Sequence, residues 1–190
     1  FNDISDESGI RVDNFVPDPD PPIPINDHSR LGFADINGDG YADVVAHSLF
    51  PNPQAGIPFE HLVFLNDGSG NFEHYSDESG LRDVQAGFFV FGDLDGDGDP
   101  DAFAGLDVSL GGETNRVFLN DGEGRFTEKE DSGIADTGTV DRAGNAVLAD
   151  FNGDGALDIF VGNGQTSYGV PDQLFFNYGD ATFQDVSSGY

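Results

Sequence analysis

The stretch DINGDGYAD, from Asp35 to Asp43, decides the fold of this chain. Acidic or amide side chains occupy its first, third, fifth and ninth positions, and a glycine follows the third of them. DLDGDGDPD at 93–101 and DFNGDGALD at 150–158 repeat the pattern, at intervals of 58 and 57 residues. An interval this constant indicates an internal repeat in which each copy forms one supersecondary unit.

Two short apolar segments follow each acidic stretch, and a third precedes it. Those directly after the loops are VVA at 44–46, AFAG at 102–105 and IFVG at 159–162. The next are HLVFLN at 61–66, NRVFLN at 115–120 and DQLFFN at 172–177. Asn-Asp-Gly after the first two of these predicts tight hairpin turns, whereas NYGDATF in the third copy departs from that turn sequence. No segment has sustained helical periodicity, so we predict an all-β chain with about four short strands in each repeat.

Two of the predicted strands, LVFL at 62–65 and FFVF at 88–91, are apolar on both faces. A strand buried on both faces lies between stacked sheets. Four-stranded units of about 57 residues that pack face to face are typical of propeller blades. We therefore predict one continuous β domain. It is divided into an extra N-terminal strand with a Pro-rich linker at 1–28, and repeats at 29–85, 86–142 and 143–190.

Three stretches carry a family resemblance: FADINGDGYADVV, FGDLDGDGDPDAF and LADFNGDGALDIF. They resemble the FG-GAP/VCBS repeat family, which includes the propeller of integrin α subunits and many secreted bacterial proteins. The resemblance covers about residues 29–190. It implies calcium in each loop, blades of a β-propeller, and recognition or adhesion instead of catalysis.

The loops also indicate calcium through their own chemistry, because Ca²⁺ takes six to eight oxygen ligands in a flexible shell. We predict about three ions, one in each loop. The predicted ligands of the first loop are Asp35, Asn37, Asp39, the carbonyl of Tyr41, and Asp43. Those of the second are Asp93, Asp95, Asp97, the carbonyl of Asp99, and Asp101. Those of the third are Asp150, Asn152, Asp154, the carbonyl of Ala156, and Asp158.

Three alternative assignments suit these loops less well than calcium. An EF-hand requires glutamate at the twelfth position, which here is Ala46, Ala104 or Val161. Zinc and copper are disfavoured because the chain contains no cysteine and no cluster of histidines. A metal-free turn rich in Asp, Asn and Gly is the alternative for any single loop, but three copies in register favour a metal. We expect the ions to be structural, because no site has an obvious open position.

Charge and hydropathy exclude several partners. Asp and Glu number 36 against 7 Lys and Arg, a net charge of -29. Nucleic acid and anionic membranes both select basic surfaces, so neither is expected as a partner. No run of 18 apolar residues is present, which argues against membrane insertion. The chain begins at Phe1 without a visible signal peptide, and we interpret it as a mature or excised product that is secreted or at the cell surface.

The sequence does not predict an enzyme, since it contains no nucleophile elbow, phosphate-binding loop or zinc helix motif. The four histidines, His28, His47, His61 and His74, are predicted to lie at the surface. We predict a Ca²⁺-stabilised structural or adhesion module whose partner is a cell-surface protein or a glycan. A lectin-like propeller is an alternative, with Phe50, Phe59 and Tyr168 as its candidate aromatic platforms. An accessory domain of an enzyme, or a fragment of a larger FG-GAP propeller protein, is another.

Blade counting predicts assembly. Closed propellers have about 4–8 blades, more than the three repeats found here. FNDISDESGI at 1–10 resembles FEHYSDESGL at 72–81, yet no repeat precedes it. We therefore predict that the segment at 1–10 forms a strand that pairs with a neighbouring molecule, giving a homo-oligomeric ring or a filament.

Overall fold

The computed structural model describes residues 2–5, 7–10, 28–48, 61–106, 114–134, 143–163 and 171–187. Within these residues the chain forms twelve β-strands and no α-helix, arranged as three sheets of four antiparallel strands. No helix among them has the length and apolar character needed to cross a membrane. The prediction of an all-β chain with three four-stranded repeats is confirmed.

Each sheet takes its strands in sequence order. Sheet 1 contains β1 (His28–Ala34), β2 (Asp43–Ser48), β3 (His61–Asn66) and β4 (Phe72–His74). Sheet 2 contains β5 (Ala86–Gly92), β6 (Asp101–Leu106), β7 (Arg116–Asn120) and β8 (Phe126–Glu128). Sheet 3 contains β9 (Ala143–Ala149), β10 (Asp158–Asn163), β11 (Gln173–Asn177) and β12 (Phe183–Asp185).

Sheet 2 is covered on both faces by its neighbours. On one side, Ala102 and Phe118 of sheet 2 pack with Val63 of sheet 1. On the other, Phe103 and Val117 pack with Ile159 and other residues of sheet 3. Adjacent residues of β6 therefore point into different cores, which is why every residue of that strand is buried.

The outer face of sheet 3 is open by comparison. Phe103 of sheet 2 is 0% exposed, whereas Phe160, at the same position of β10, is 38% exposed. Likewise Leu94 is 1% exposed and its counterpart Phe151 is 49% exposed. The described buried residues form no core between sheets 1 and 3, so these sheets form an open stack and a closed propeller is not shown.

The third hairpin forms despite its unusual sequence. The Tyr178 N–H donates to the Thr182 carbonyl at 2.9 Å, as a turn between β11 and β12 requires. Ala181 adopts a positive φ of 57° at the position that Gly124 occupies in the second repeat. A left-handed conformation is unfavourable for alanine but accessible, so the turn keeps its shape without the glycine.

The extra N-terminal strand is not formed by the described residues of that segment. Residues 2–5 and 7–10 form turns and irregular structure. The Ser8 carbonyl accepts the N–H of Phe72 at 2.6 Å, and Ile10 packs on the outer face of sheet 1 beside Phe64. The prediction of a strand is therefore wrong for these residues, and the surface on which they dock is strand β4 of the same chain.

The same contact recurs between consecutive repeats. The Ser79 carbonyl accepts the N–H of Phe126 at 2.9 Å, and the Ser132 carbonyl accepts the N–H of Phe183 at 2.7 Å. A Ser-Gly turn at the end of one repeat therefore docks on the last strand of the next. Residues 7–10 occupy the equivalent place against sheet 1.

The prediction of a surface position is wrong for one histidine. His61 is fully buried, with Nε2 2.7 Å from the carbonyl of Val84 and its ring edge-on to Phe89. His74 is exposed, as predicted. The side chains of His28 and His47 lie outside the described part of the chain, and so do Phe50, Phe59 and Tyr168.

Equivalent positions of sheets 2 and 3 give a paired prediction for stability. Phe103→Ala is expected to lower the free energy of unfolding by about 3–5 kcal/mol, because the ring is fully buried between two sheets. Phe160→Ala, at the equivalent but partly exposed position, is expected to cost about 1 kcal/mol or less. Urea unfolding followed by circular dichroism, at low protein concentration, measures both. Equal losses for the two variants would contradict the stacking order of the sheets.

Candidate metal centre

Each acidic loop connects the first and second strands of its sheet, so the three loops lie at equivalent places. We refer to residues 35–43, 93–101 and 150–158 as loops 1, 2 and 3. The sixth residue of each is glycine with a positive φ, for example 93° at Gly40. Side chains with a Cβ rarely adopt this conformation, which explains the glycine at the tightest bend of the loop.

The first-position aspartate holds the loop backbone. In loop 1, Asp35 accepts the N–H of Asp39 at 3.0 Å and that of Gly40 at 2.8 Å. Asp93 accepts the N–H of Gly98 at 3.2 Å in loop 2, and loop 3 has the equivalent bond. The side-chain oxygens are therefore already turned towards the interior of each loop.

The ninth-position aspartate is buried in all three loops, and its two oxygens each accept a backbone N–H. Asp101 accepts from Leu94 at 2.9 Å and from Asn120, at the end of the third strand, also at 2.9 Å. Asp43 and Asp158 make the equivalent pairs of bonds. This residue thus ties its loop to the second and third strands of the sheet.

Loop 2 brings three predicted ligands together. Single carboxylate oxygens of Asp93, Asp95 and Asp101 lie within 4.8 Å of one another. Burial raises the pKa of Asp101 to about 6, although its two backbone N–H donors lower it. Burial also raises the pKa of Asp95, to which the neighbouring charge of Asp97 contributes. A cation placed among these oxygens would relieve both the desolvation and the repulsion.

Loops 1 and 3 differ at the third position, where asparagine replaces aspartate. The amide nitrogen of Asn37 donates to Asp39 at 3.1 Å, and that of Asn152 donates to Asp154 at 2.8 Å. These loops therefore carry three predicted ligand carboxylates each, whereas loop 2 carries four, because Asp99 is predicted to bind through its carbonyl. Since the number of charged ligands raises calcium affinity, loop 2 is the strongest candidate of the three.

The fifth- and seventh-position residues of each loop are hydrogen-bonded to each other. Asp39, Asp97 and Asp154 each accept the N–H of the seventh residue, at 2.9 Å in every loop. In the first two repeats, the side chain at the seventh position also contacts the hairpin glycine: the ring of Tyr41 lies against Gly68 and the carboxylate of Asp99 against Gly122. The sequence did not predict this contact between loop and hairpin.

Sequence reasoning also missed the asparagine that ends each third strand. Asn120 is buried, and its amide group donates to the Ile36 carbonyl of loop 1 at 2.8 Å and to the Pro100 carbonyl of loop 2 at 3.2 Å. Asn177 bridges Leu94 and Leu157 in the same way. One feature of the sequence could have indicated this role. Asparagine is kept at this position in the third repeat, where the rest of the turn sequence changes.

The donor set of all three loops consists of carboxylate and amide oxygens. This chemistry fits a hard cation such as Ca²⁺ and does not suit a metal that prefers nitrogen or sulfur. The loop backbone is held by its own side chains, which orients the predicted ligands.

Comparisons with known proteins agree with this architecture. The family model of the FG-GAP-like repeat matches residues 106–161. The chain is also 26% identical over 144 residues to a T-cell immunomodulatory protein homolog of Plasmodium yoelii yoelii. That alignment covers 67% of this chain and 19% of the relative, so the chain spans about a fifth of its length. The match at residues 106–161 thereby confirms the predicted resemblance to the FG-GAP family.

The pKa of Asp101 gives a prediction for the metal-free protein. Between its usual 3.8 and about 6, the folded state keeps a proton that the unfolded state releases, so stability falls as the pH rises through this range. The difference corresponds to about 3 kcal/mol. In chelator, the native protein should therefore lose about that much stability relative to Asp101→Asn between pH 4 and pH 7. Chemical unfolding at several pH values measures this, and parallel pH profiles would contradict the assigned burial.

Proposed function

We propose that this chain is a non-enzymatic, extracellular structural or adhesion module whose stacked sheets are stabilised by Ca²⁺ in three loops. The observation that carries the proposal is the recurrence of one all-oxygen loop at the same place in all three sheets. Each loop is anchored by a buried aspartate, and in loop 2 three carboxylates converge.

The proposed structural role of the ions rests on how the ligands are used. The first- and ninth-position aspartates also hold backbone N–H groups of their own repeat, so the same side chains organise the loop and offer oxygens to an ion. A catalytic ion needs an open coordination position and a neighbouring acid or base. We therefore assign the loops to stability and assign no catalytic residue.

The extracellular location is supported by the FG-GAP-like repeat and by the name of the relative, a T-cell immunomodulatory protein homolog. The partner we propose is a cell-surface protein. The three aromatic candidates for a lectin-like module lie outside the described residues. A larger FG-GAP protein that contains this chain is the second candidate, favoured by the relative's much greater length.

Self-association is proposed through the open face of sheet 3, which contains Val147, Phe151 and Phe160. The equivalent faces of sheets 1 and 2 are covered by the next sheet. On the outer face of sheet 1, Phe64 is only 2% exposed, whereas Leu31 and Phe33 on the edge strand β1 are 55% and 59% exposed. The face of sheet 3 is proposed because Phe160 lies on an inner strand of its sheet. Two copies that meet through the same face form a closed twofold dimer, in place of the ring or filament predicted from strand pairing.

Calcium removal is expected to lower the melting temperature. An ion that binds only the folded state stabilises it by about 2.7 kcal/mol per site at a hundredfold excess over the dissociation constant. Three such sites would supply a large part of a typical domain's stability of about 5–15 kcal/mol. Thermal unfolding in calcium, in chelator and in magnesium measures the effect, and magnesium should substitute poorly because it prefers a rigid octahedral shell.

Single-ligand variants make this test specific. Asp95→Ala should remove the contribution of loop 2 and leave those of the other loops. Asp39→Ala should do the same for loop 1. Ser69→Ala, in a hairpin turn outside the loops, is the matched control and should leave the calcium-dependent part of the stability unchanged. An identical melting curve in calcium and in excess chelator would overturn the proposed function.

Association through sheet 3 is tested by light scattering in calcium. The native chain is expected at twice its mass of 20.2 kDa. Phe160→Asp should shift it to the monomer, because a charge at the centre of an apolar interface is not paired. Phe33→Asp changes an exposed phenylalanine of β1, away from this face, and should leave the dimer intact. A native monomer at the same concentration would exclude the dimer.

A further inference from the structure

A continuous path of hydrogen bonds joins loop 1 to loop 2. Asp43 accepts the N–H of Ile36 at 2.9 Å within loop 1. The carbonyl of the same Ile36 accepts the side-chain amide of Asn120 at 2.8 Å. The backbone N–H of Asn120 donates to Asp101 of loop 2 at 2.9 Å. The two buried aspartates are therefore linked through two residues, Ile36 and Asn120.

The same path joins loop 2 to loop 3. Asp101 accepts the N–H of Leu94, and the carbonyl of Leu94 accepts the side-chain amide of Asn177 at 2.7 Å. The backbone N–H of Asn177 donates to Asp158 at 2.9 Å. Both asparagines are buried, so these bonds are shielded from competing water.

Asn66 provides an internal comparison. It ends β3 as Asn120 ends β7, its side chain accepts the N–H of its own hairpin at Gly68, and its backbone N–H donates to Asp43. Its side-chain amide donates to Ala42 of its own repeat at 3.1 Å. Among the described residues, no earlier repeat supplies an acidic loop that its side chain could reach. Asn66 thus has the local role of the other two asparagines without the link between loops.

We infer that Asn120 and Asn177 couple the Ca²⁺ affinities of neighbouring loops, so that filling one loop tightens the next. The inference rests on the proposed function. Ligation of Asp101 would restrict both the Asn120 backbone and the Leu94 peptide, and each restriction orders part of an adjacent loop. Binding of a second ion then costs less conformational entropy, because part of its loop is already ordered, and this produces positive cooperativity.

The sign of the effect separates this mechanism from simple electrostatics. Two divalent ions in neighbouring loops repel each other, so without the path each would weaken the binding of the other. The path also makes the coupling sequential. Loops 1 and 3 share no such bond among the described residues, and they are coupled only through loop 2.

Calorimetric calcium titration of the full chain tests the inference. With loop 3 disabled by Asp150→Ala, the affinity of loop 1 is measured with loop 2 intact and with loop 2 disabled by Asp95→Ala. We expect loop 1 to bind about fivefold tighter or more when loop 2 is intact, the lower end of typical coupling between sites. By linkage, disabling loop 1 with Asp35→Ala should weaken loop 2 by the same factor.

Asn120→Ala is expected to bring that factor to one or below, because only the repulsion between the ions is left, whereas Asn66→Ala should preserve it even if loop 1 itself binds more weakly. Circular dichroism in calcium checks that each variant is folded. If Asn120→Ala does not fold, Asn177→Ala tests the same point between loops 2 and 3, with loop 1 disabled.

Two failures remain distinguishable. Absence of calcium binding to the native chain overturns the proposed function and this inference together. Tight binding at all three loops with independent affinities, or coupling that survives in Asn120→Ala and Asn177→Ala, overturns the inference and leaves the proposed function standing.

Discussion

The structure depends on one buried carboxylate in each repeat. Asp43, Asp101 and Asp158 are 0–1% exposed, and each accepts one N–H from its own loop and one from the end of the third strand. Burial of an aspartate is unfavourable unless its oxygens are hydrogen-bonded, and a negative charge strengthens such bonds. The acidic loop, the second strand and the third strand therefore form one unit, which an ion in the loop would reinforce.

Apolar packing and the hydrogen bonds between neighbouring sheets have different roles in stacking these units. The cores around Phe103 and Val63 supply most of the burial, but hydrophobic contact is not directional. Two repeated hydrogen bonds fix the placement of one sheet on the next. One is accepted by the carbonyl of the Ser-Gly turn, as at Ser79, and the other is donated by the side-chain amide of the hairpin asparagine, as at Asn120. The first of these hydrogen bonds also forms at Ser8, in a segment that precedes the first sheet. Stability is then a property of the stack as well as of each repeat.

The sequence predicted the features that local patterns encode. The spacing of Asp35, Asn37 and Asp39, with glycine after them, specifies a loop within a few residues, and the apolar segments around it specify strands. Features formed by distant residues were missed. The carbonyl bound by Asn120 lies 84 residues away, and the burial of His61 depends on Phe89 from another sheet. The likeness of residues 1–10 to residues 72–81 predicts a strand, whereas the docking of that segment on β4 has no local signature.

The most direct test of the central claim is the number of calcium ions bound per chain at saturation, measured by equilibrium dialysis with metal analysis. Three structural loops predict three ions on each chain of 190 residues, falling to two when Asp93→Ala removes the first ligand of loop 2. A protein that is folded in millimolar calcium and binds no ion would contradict the account, because the acidic loops would then be metal-free turns.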